Sequence, residues 1–237
     1  MRELPIAYGN SCTAKIWTNK TTRWDDLCDR LSLTIRTTES AEEYSRMKKA
    51  DRDAAKDKGG FVGGQLGNNR RKIDTVACRS MLTMDVDTAE ADFIDRFFSE
   101  FGHAACLYTT HSHTPHAPRC RIIVPLTRDV SPDEYVALAR FFAADYGIDQ
   151  FDECSYKPNQ LMYWPTTSAN GEFICKATKG EWLNPDTVLS AHPGWQDCSL
   201  LPTSSRESAV RENSKKPQEN PLSKPGVVGA FCRAYGI

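Results

Sequence analysis

The chain has 237 residues, 40% of them hydrophobic, with 30 Lys or Arg against 31 Asp or Glu and a formal net charge of −1. That length and apolar content support one large domain or two small ones with a real core, and the charge balance excludes a strongly basic coat protein and confines any nucleic-acid affinity to a local patch. No apolar stretch approaches a membrane span and no basic-then-apolar leader opens the chain, so a soluble, cytoplasmic protein without a membrane partner is expected. Nine cysteines without one CxxC pair fit packed, reduced thiols rather than a zinc ribbon or disulfide framework.

Residues 1–24 alternate apolar and polar side chains and read as short strands leading to Trp24. The run from Thr38 to Lys58 predicts one charged, peripheral helix that ends at Gly59-Gly60. A glycine-rich segment, 59–67, follows as flexible backbone beside the cations Arg70, Arg71 and Lys72. Ser80–Asp87 is a strand ending in two carboxylates, and Phe93, Ile94, Phe97 and Phe98 give the helical spacing of a segment from about Ala89 to Phe101. Ala104–Thr110 and Arg121–Leu126 read as a hairpin around a His/Pro-rich turn. Ser131-Pro132-Asp133-Glu134 opens a helix that runs to about Asp145 and stops at Gly147. Gln160–Trp164 predicts a strand, joined by an Asn170-Gly171 turn to Phe173–Cys175, with Trp182-Leu183 after it. The domain is expected to close near residue 198, with a division at about residue 75. Residues 199–224 have a linker composition, and 225–237 read as the start of a further helical region in a longer protein.

Asp85 and Asp87 stand at i and i+2 on a strand, so both carboxylates point to one face, where a pair of hard cations can be shared. Two such metal sites serve phosphoryl and nucleotidyl transfer; the competing reading is a helix cap or a turn. An EF-hand is excluded, because Ala89 and Glu90 stand where a ligand and a glycine are required. The turn His111-Ser112-His113 through Arg119 and Arg121 offers imidazoles and guanidiniums for a triphosphate. Asp152 supplies a third carboxylate, with Lys157 close behind it as a candidate nucleic-acid contact beside Arg70, Arg71 and Lys72. No GxxxxGK[ST] phosphate loop occurs in the chain.

Taken in order, these sites resemble the archaeo-eukaryotic primase superfamily. Gly59-Gly60-Phe61-Val62-Gly63-Gly64, Leu82-Thr83-Met84-Asp85-Val86-Asp87, Tyr108 through Pro115, Pro118 through Leu126 and Gln160 through Pro165 are similar to the primase-polymerase domain of phage and mobile-element replication proteins. There the domain is fused to a superfamily 3 or virulence-associated-E-type helicase. The resemblance covers about residues 55–237. It implies an α+β fold, an RRM-like β-α-β-β-α-β core beside an N-terminal α/β subdomain. It also implies Asp85, Asp87 and Asp152 as ligands of Mg²⁺ or Mn²⁺, nucleoside triphosphates or deoxynucleoside triphosphates as substrates, and a single-stranded DNA template. The second motif in much of the superfamily is Ser-x-His, or a glycine-rich turn ending in a phosphate-contacting His; here Ser112 and His113 are adjacent, and Arg121 holds the place of a strand-borne histidine. His111, Ser112, His113, Arg119 and Arg121 are therefore all candidate nucleotide contacts, with Arg121 and His113 preferred.

Two other readings compete. A rolling-circle nicking endonuclease would use His111 and His113 for metal and Tyr156 or Tyr163 as nucleophile. A non-catalytic origin-binding or single-strand-binding module would use the carboxylates only as caps.

Overall fold

A computed structural model describes residues 2–209, which fall in two compact units divided after Pro202. In the second unit, Ser204 caps a helical turn by accepting from the Glu207 N–H while its own N–H donates to the Glu207 carboxylate. The 225–237 region and most of the 199–224 segment lie outside the described residues. Leu201, inside that segment, is a core residue of the first unit.

The chain opens with β1 (Leu4–Gly9) and β2 (Thr18–Thr22), an antiparallel pair, followed by α1 (Trp24–Leu31). Helix α1 was not foreseen. Its signal was present, since Trp24, Leu27 and Leu31 are its buried stripe at helical spacing. After β3 (Ile35–Arg36), the single helix expected over 38–58 is two: α2 (Ala41–Arg46) and α3 (Lys49–Lys56), broken where Met47 and Lys48 are extended. Ser40 and Glu43 form a capping box on α2, whose Tyr44 is buried.

The glycine-rich segment is ordered sheet, not loop. It forms β4 (Gly60–Val62), paired with β1, and β5 (Gly64–Leu66), paired with β6 (Val76–Val86). Its glycines allow close backbone approach: a Cβ on Gly60 would lie 2.1 Å from the Met162 carbonyl oxygen, and one on Gly64 2.0 Å from that of Cys78.

The core unit follows in the expected order. Strand β6 leads to α4 (Phe93–Glu100), then to the hairpin β7 (Ala105–Thr109) and β8 (Cys120–Val130), then to α5 (Pro132–Asp145) with its Ser131–Glu134 capping box. The last strand of the β-α-β-β-α-β pattern is reduced to a bridge. Phe151 pairs antiparallel with Val86, the Asp87 N–H donates to the Gln150 carbonyl at 3.0 Å, and the Asp152 N–H donates to the Asp85 carbonyl at 2.9 Å. Farther along the same edge of β6, β5 fills the remaining length.

Beyond the bridge lie β9 (Met162–Tyr163), β10 (Thr166–Thr167), β11 (Cys175–Thr178) and α6 (Pro185–Ala191). The hairpin expected between 160–164 and 173–175 does not form: β9 pairs with β4, and β11 joins the edge of β7. Among the described residues three sheets result, ordered β2-β1-β4-β9, β11-β7-β8-β6-β5 and the parallel pair β10-β3.

The five-stranded sheet is buried on both faces, as its long apolar runs require. Leu82, Met84, Val86, Ile122 and Val124 face α4 and α5 in a core with Phe93, Phe97, Tyr135 and Phe142. The alternate residues Met81, Ile123, Cys106 and Tyr108 face α1 and the N-terminal sheet. Full burial of each aromatic or aliphatic side chain here contributes about 1.5–3 kcal/mol. The eight described cysteines are free thiols. Among the described residues no helix is long and apolar enough to cross a membrane.

Candidate active site

The two-residue period of β6 sends Thr83 and Asp85 to the face opposite the helices. On β8, Arg121 is the direct cross-strand neighbour of Asp85, and on β7 Tyr108 is the neighbour of Arg121. One row of side chains, Tyr108, Arg121 and Asp85, thus crosses three strands. Continuing the register by two residues sets Arg119 opposite Asp87. The D-x-D of one strand and the R-x-R of the next face each other by sheet geometry alone.

These pairs are formed. Arg121 Nε donates to Asp85 Oδ2 at 3.1 Å, both side chains about 10% exposed, and Arg119 Nη1 lies 3.3 Å from Asp87 Oδ1, both about 40% exposed. Asp152 arrives with the reduced sixth strand and accepts the Cys154 N–H at 2.9 Å. A cleft of about 190 Å³ is lined by these five residues together with Lys56, His111, Ser112 and Tyr163. Its charged side chains are three carboxylates and three cations.

Electrostatics single out Asp85. Burial pushes its carboxyl above the ordinary range; Arg121 opposes that shift, and Asp87 and Asp152 add to it. Its Oδ1 is buried without a hydrogen-bond partner, while its backbone N–H donates to Ser155 Oγ at 2.8 Å. Asp85 keeps Arg121 protonated against the cost of burial.

A buried polar network holds this carboxylate from behind. Fully buried Arg79 donates to the carbonyls of Gly63 and Pro158 and to Thr83 Oγ1, with its guanidinium 3.8 Å from the centre of the Tyr135 ring. The Tyr135 hydroxyl lies 3.2 Å from Thr83 Oγ1 and donates to the Ser155 carbonyl at 2.9 Å. Ser155 therefore ties α5 to both Asp85 and the segment that carries Asp152.

The other expected site residues separate. His111 lines the cleft and is anchored through both ring nitrogens. Nε2 donates to Glu39 at 3.0 Å, so Nδ1 accepts from the Thr166 hydroxyl at 2.9 Å. The Tyr44 ring lies 4.2 Å away, and burial lowers the His111 pKa despite the pull of Glu39. His113 is buried but is not among the cleft-lining residues; its Nδ1 accepts the Arg119 N–H at 3.3 Å and so braces the turn. Arg71 donates to the carbonyls of Cys12 and Asn159, a structural use, whereas Arg70, Lys72 and Lys157 are exposed and outside the cleft.

Lys56 and Gln160, which no local site pattern marks, line the cleft together with Tyr163, the alternative nicking nucleophile. Lys56 ends a helix read as peripheral, where nothing local signals a site. Burial raises the Tyr163 phenol well above its ordinary range, which disfavours it as a nucleophile, and Tyr156 is buried.

Among the described residues no three His, Cys, Asp or Glu side chains stand together in an arrangement that would hold a metal ion. The three carboxylates share the cleft, but Asp85 and Asp87 are turned to their arginines. The donor set still fits a hard divalent cation of the Mg²⁺ type, which takes one or two carboxylates and keeps water or substrate oxygens for the rest. The partnerless Oδ1 of Asp85 is the atom that such an ion would satisfy.

An α+β domain with paired carboxylates and arginines facing one another across a central antiparallel sheet is the class that fold and site define. The model of the VapE N-terminal domain family matches residues 1–204, and the chain belongs to that family. The resemblance drawn from the motifs, to the primase-polymerase domain that accompanies a superfamily 3 or virulence-associated-E-type helicase, agrees with this match to the N-terminal domain. Among solved structures, the AEP domain of the cyanophage S-2L primase-polymerase (PrimPol) is similar, with 13% identity, 81% of this chain and 89% of that chain covered, and a TM-score of 0.46. No curated protein matches the sequence.

Proposed function

We propose that this domain is a primase-polymerase, joining nucleoside triphosphates on a single-stranded DNA template with release of pyrophosphate. The observation that carries the reading is the Asp85–Asp87 pair on one strand face, opposed by Arg121 and Arg119, with Asp85 Oδ1 left partnerless. Asp85, Asp87 and Asp152 would hold Mg²⁺ or Mn²⁺. When bound, such a cation offsets charge on phosphoryl oxygens and lowers the pKa of an attacking 3′-hydroxyl.

The chain's own residues divide the remaining work. Ser155 and the register with Arg121 orient Asp85, so the carboxylate is positioned before substrate arrives. Arg119 is exposed enough to exchange Asp87 for a phosphate oxygen; Arg121 is packed in place and contributes fixed positive potential. Lys56 adds a third cation to the cleft. His111, held neutral by burial and clamped by Glu39 and Thr166, shapes the wall and presents no mobile charge.

Incorporation of labelled nucleotides on a single-stranded template, with Mg²⁺ or Mn²⁺ and with or without a primer, tests the reading. Wild-type product that needs template and metal and is lost in Asp85→Ala/Asp87→Ala is the expected result. Equal metal and nucleotide affinity in the wild type and this double variant would refute it in favour of a binding module.

A further inference from the structure

The chain between Tyr163 and Thr166 divides two concavities. Tyr163 and Thr166 line the carboxylate cleft, whereas Trp164 and Pro165 line an open groove of about 700 Å³ beside the N-terminal sheet. Lys56 and Lys58 repeat the division, one in the cleft and one in the groove. A ligand lying along the groove would therefore run to the edge of the carboxylate cleft.

Lys20, Arg30 and Lys58 line the groove, and no carboxylate does. The Arg30 guanidinium lies 3.5 Å from the centre of the Trp164 ring and 5.2 Å from that of Tyr8, so an exposed side chain forms a cationic plate against two rings. Beside that plate stand Ile16, Leu33 and Ile35, 74%, 72% and 44% exposed. Five large apolar side chains are exposed among the described residues, and three of them gather here. Such a gathering marks a surface that meets a partner.

We infer that this groove binds single-stranded nucleic acid, with phosphates on Lys20, Arg30 and Lys58 and unpaired bases stacked on the Arg30–Trp164 plate and its apolar border. Flat stacking surfaces flanked by cations that track a backbone are the chemistry that recognises single strands irrespective of sequence. The assignment moves the nucleic-acid contact away from Arg70, Arg71, Lys72 and Lys157, which line neither concavity. It deepens the primase-polymerase reading and rests on it for the bound strand's role as template.

Fluorescence anisotropy of a labelled oligo-dT with the full chain, in EDTA so that catalysis plays no part, tests the groove alone. Lys20→Ala/Arg30→Ala/Lys58→Ala is expected to weaken binding by about tenfold or more and to reduce the slope of log affinity against log salt by about 2. All three side chains are exposed, so the fold tolerates the change. Leu33→Asp, a second exposed position, is expected to weaken binding with no cation removed. Undiminished affinity in both variants would overturn the inference, as would a wild type that does not bind the oligonucleotide. Unchanged DNA affinity with altered self-association in sedimentation would reassign the surface to protein contact. The catalytic reading fails separately, through Asp85→Ala/Asp87→Ala in the incorporation assay.

Discussion

Tyr135→Phe removes one oxygen from the network behind Asp85. The ring stays, so the Arg79 guanidinium keeps its aromatic face at 3.8 Å, and Thr83 Oγ1 keeps its bond from Arg79 at 2.7 Å. What is lost is the donor to the Ser155 carbonyl at 2.9 Å, on a residue with no exposed surface. A buried acceptor deprived of its donor costs about 1–3 kcal/mol, which in a unit of this size lowers the melting temperature by about 2–4 °C per kcal/mol. Because Ser155 Oγ also receives the Asp85 N–H, the same substitution is expected to reduce kcat more than it raises nucleotide KM. Urea unfolding with an unchanged m-value measures the first effect, and steady-state incorporation the second. An unfolding free energy changed by less than about 0.5 kcal/mol would show that the phenol is dispensable and refute the network as a support for Asp85.

Arg121→Met leaves the Asp85 carboxylate buried without its partner, and a loss of about 3–5 kcal/mol is expected at neutral pH. Burial raises the Asp85 pKa in the folded state, so the stability tied to its protonation is full below the unfolded-state carboxylate range and is lost as pH rises through the folded value. Parallel urea titrations at acid and neutral pH should therefore show a smaller penalty for Arg121→Met in acid, and an equal penalty at both would refute the pairing. Gly60→Ala places a methyl 2.1 Å from the Met162 carbonyl oxygen, an overpacking cost of about 1–3 kcal/mol or more. Because that contact joins β4 to β9 next to Tyr163 and Trp164, thermal melting and oligo-dT affinity should both fall; a neutral outcome would mean that β9 is not held by β4.

Much of the core was legible because its signals are local. The Ser131-Pro132-Asp133-Glu134 cap is a four-residue pattern, and it sits where α5 begins. The strand, helix and hairpin order from β6 to α5 follows from periods of 2 and 3.6 that a short window reveals. Segments whose state depends on distant partners read differently. Residues 60–66 look like flexible glycine linker until β1, β9 and β6 close around them. Residues 160–164 and 173–175 look like the arms of one hairpin until β4 pairs with 162–163 and β7 with 175–178.

The site divides along the same line. That Asp85 and Asp87 share a face, and that Arg119 and Arg121 do, belongs to the sequence alone, since alternation is a property of one extended strand. That the two faces meet depends on a register between β6 and β8, set by strands more than 30 residues apart in the chain. Only the tertiary structure brought Asp152 beside Asp85 on a shortened edge strand, carried Lys56 to the cleft from a helix that looked peripheral, and turned Tyr163 and Trp164 toward different concavities. The physical reason is that periodicity fixes which way a side chain points from its own backbone, whereas the neighbour it meets is chosen by the burial of apolar faces across the whole chain.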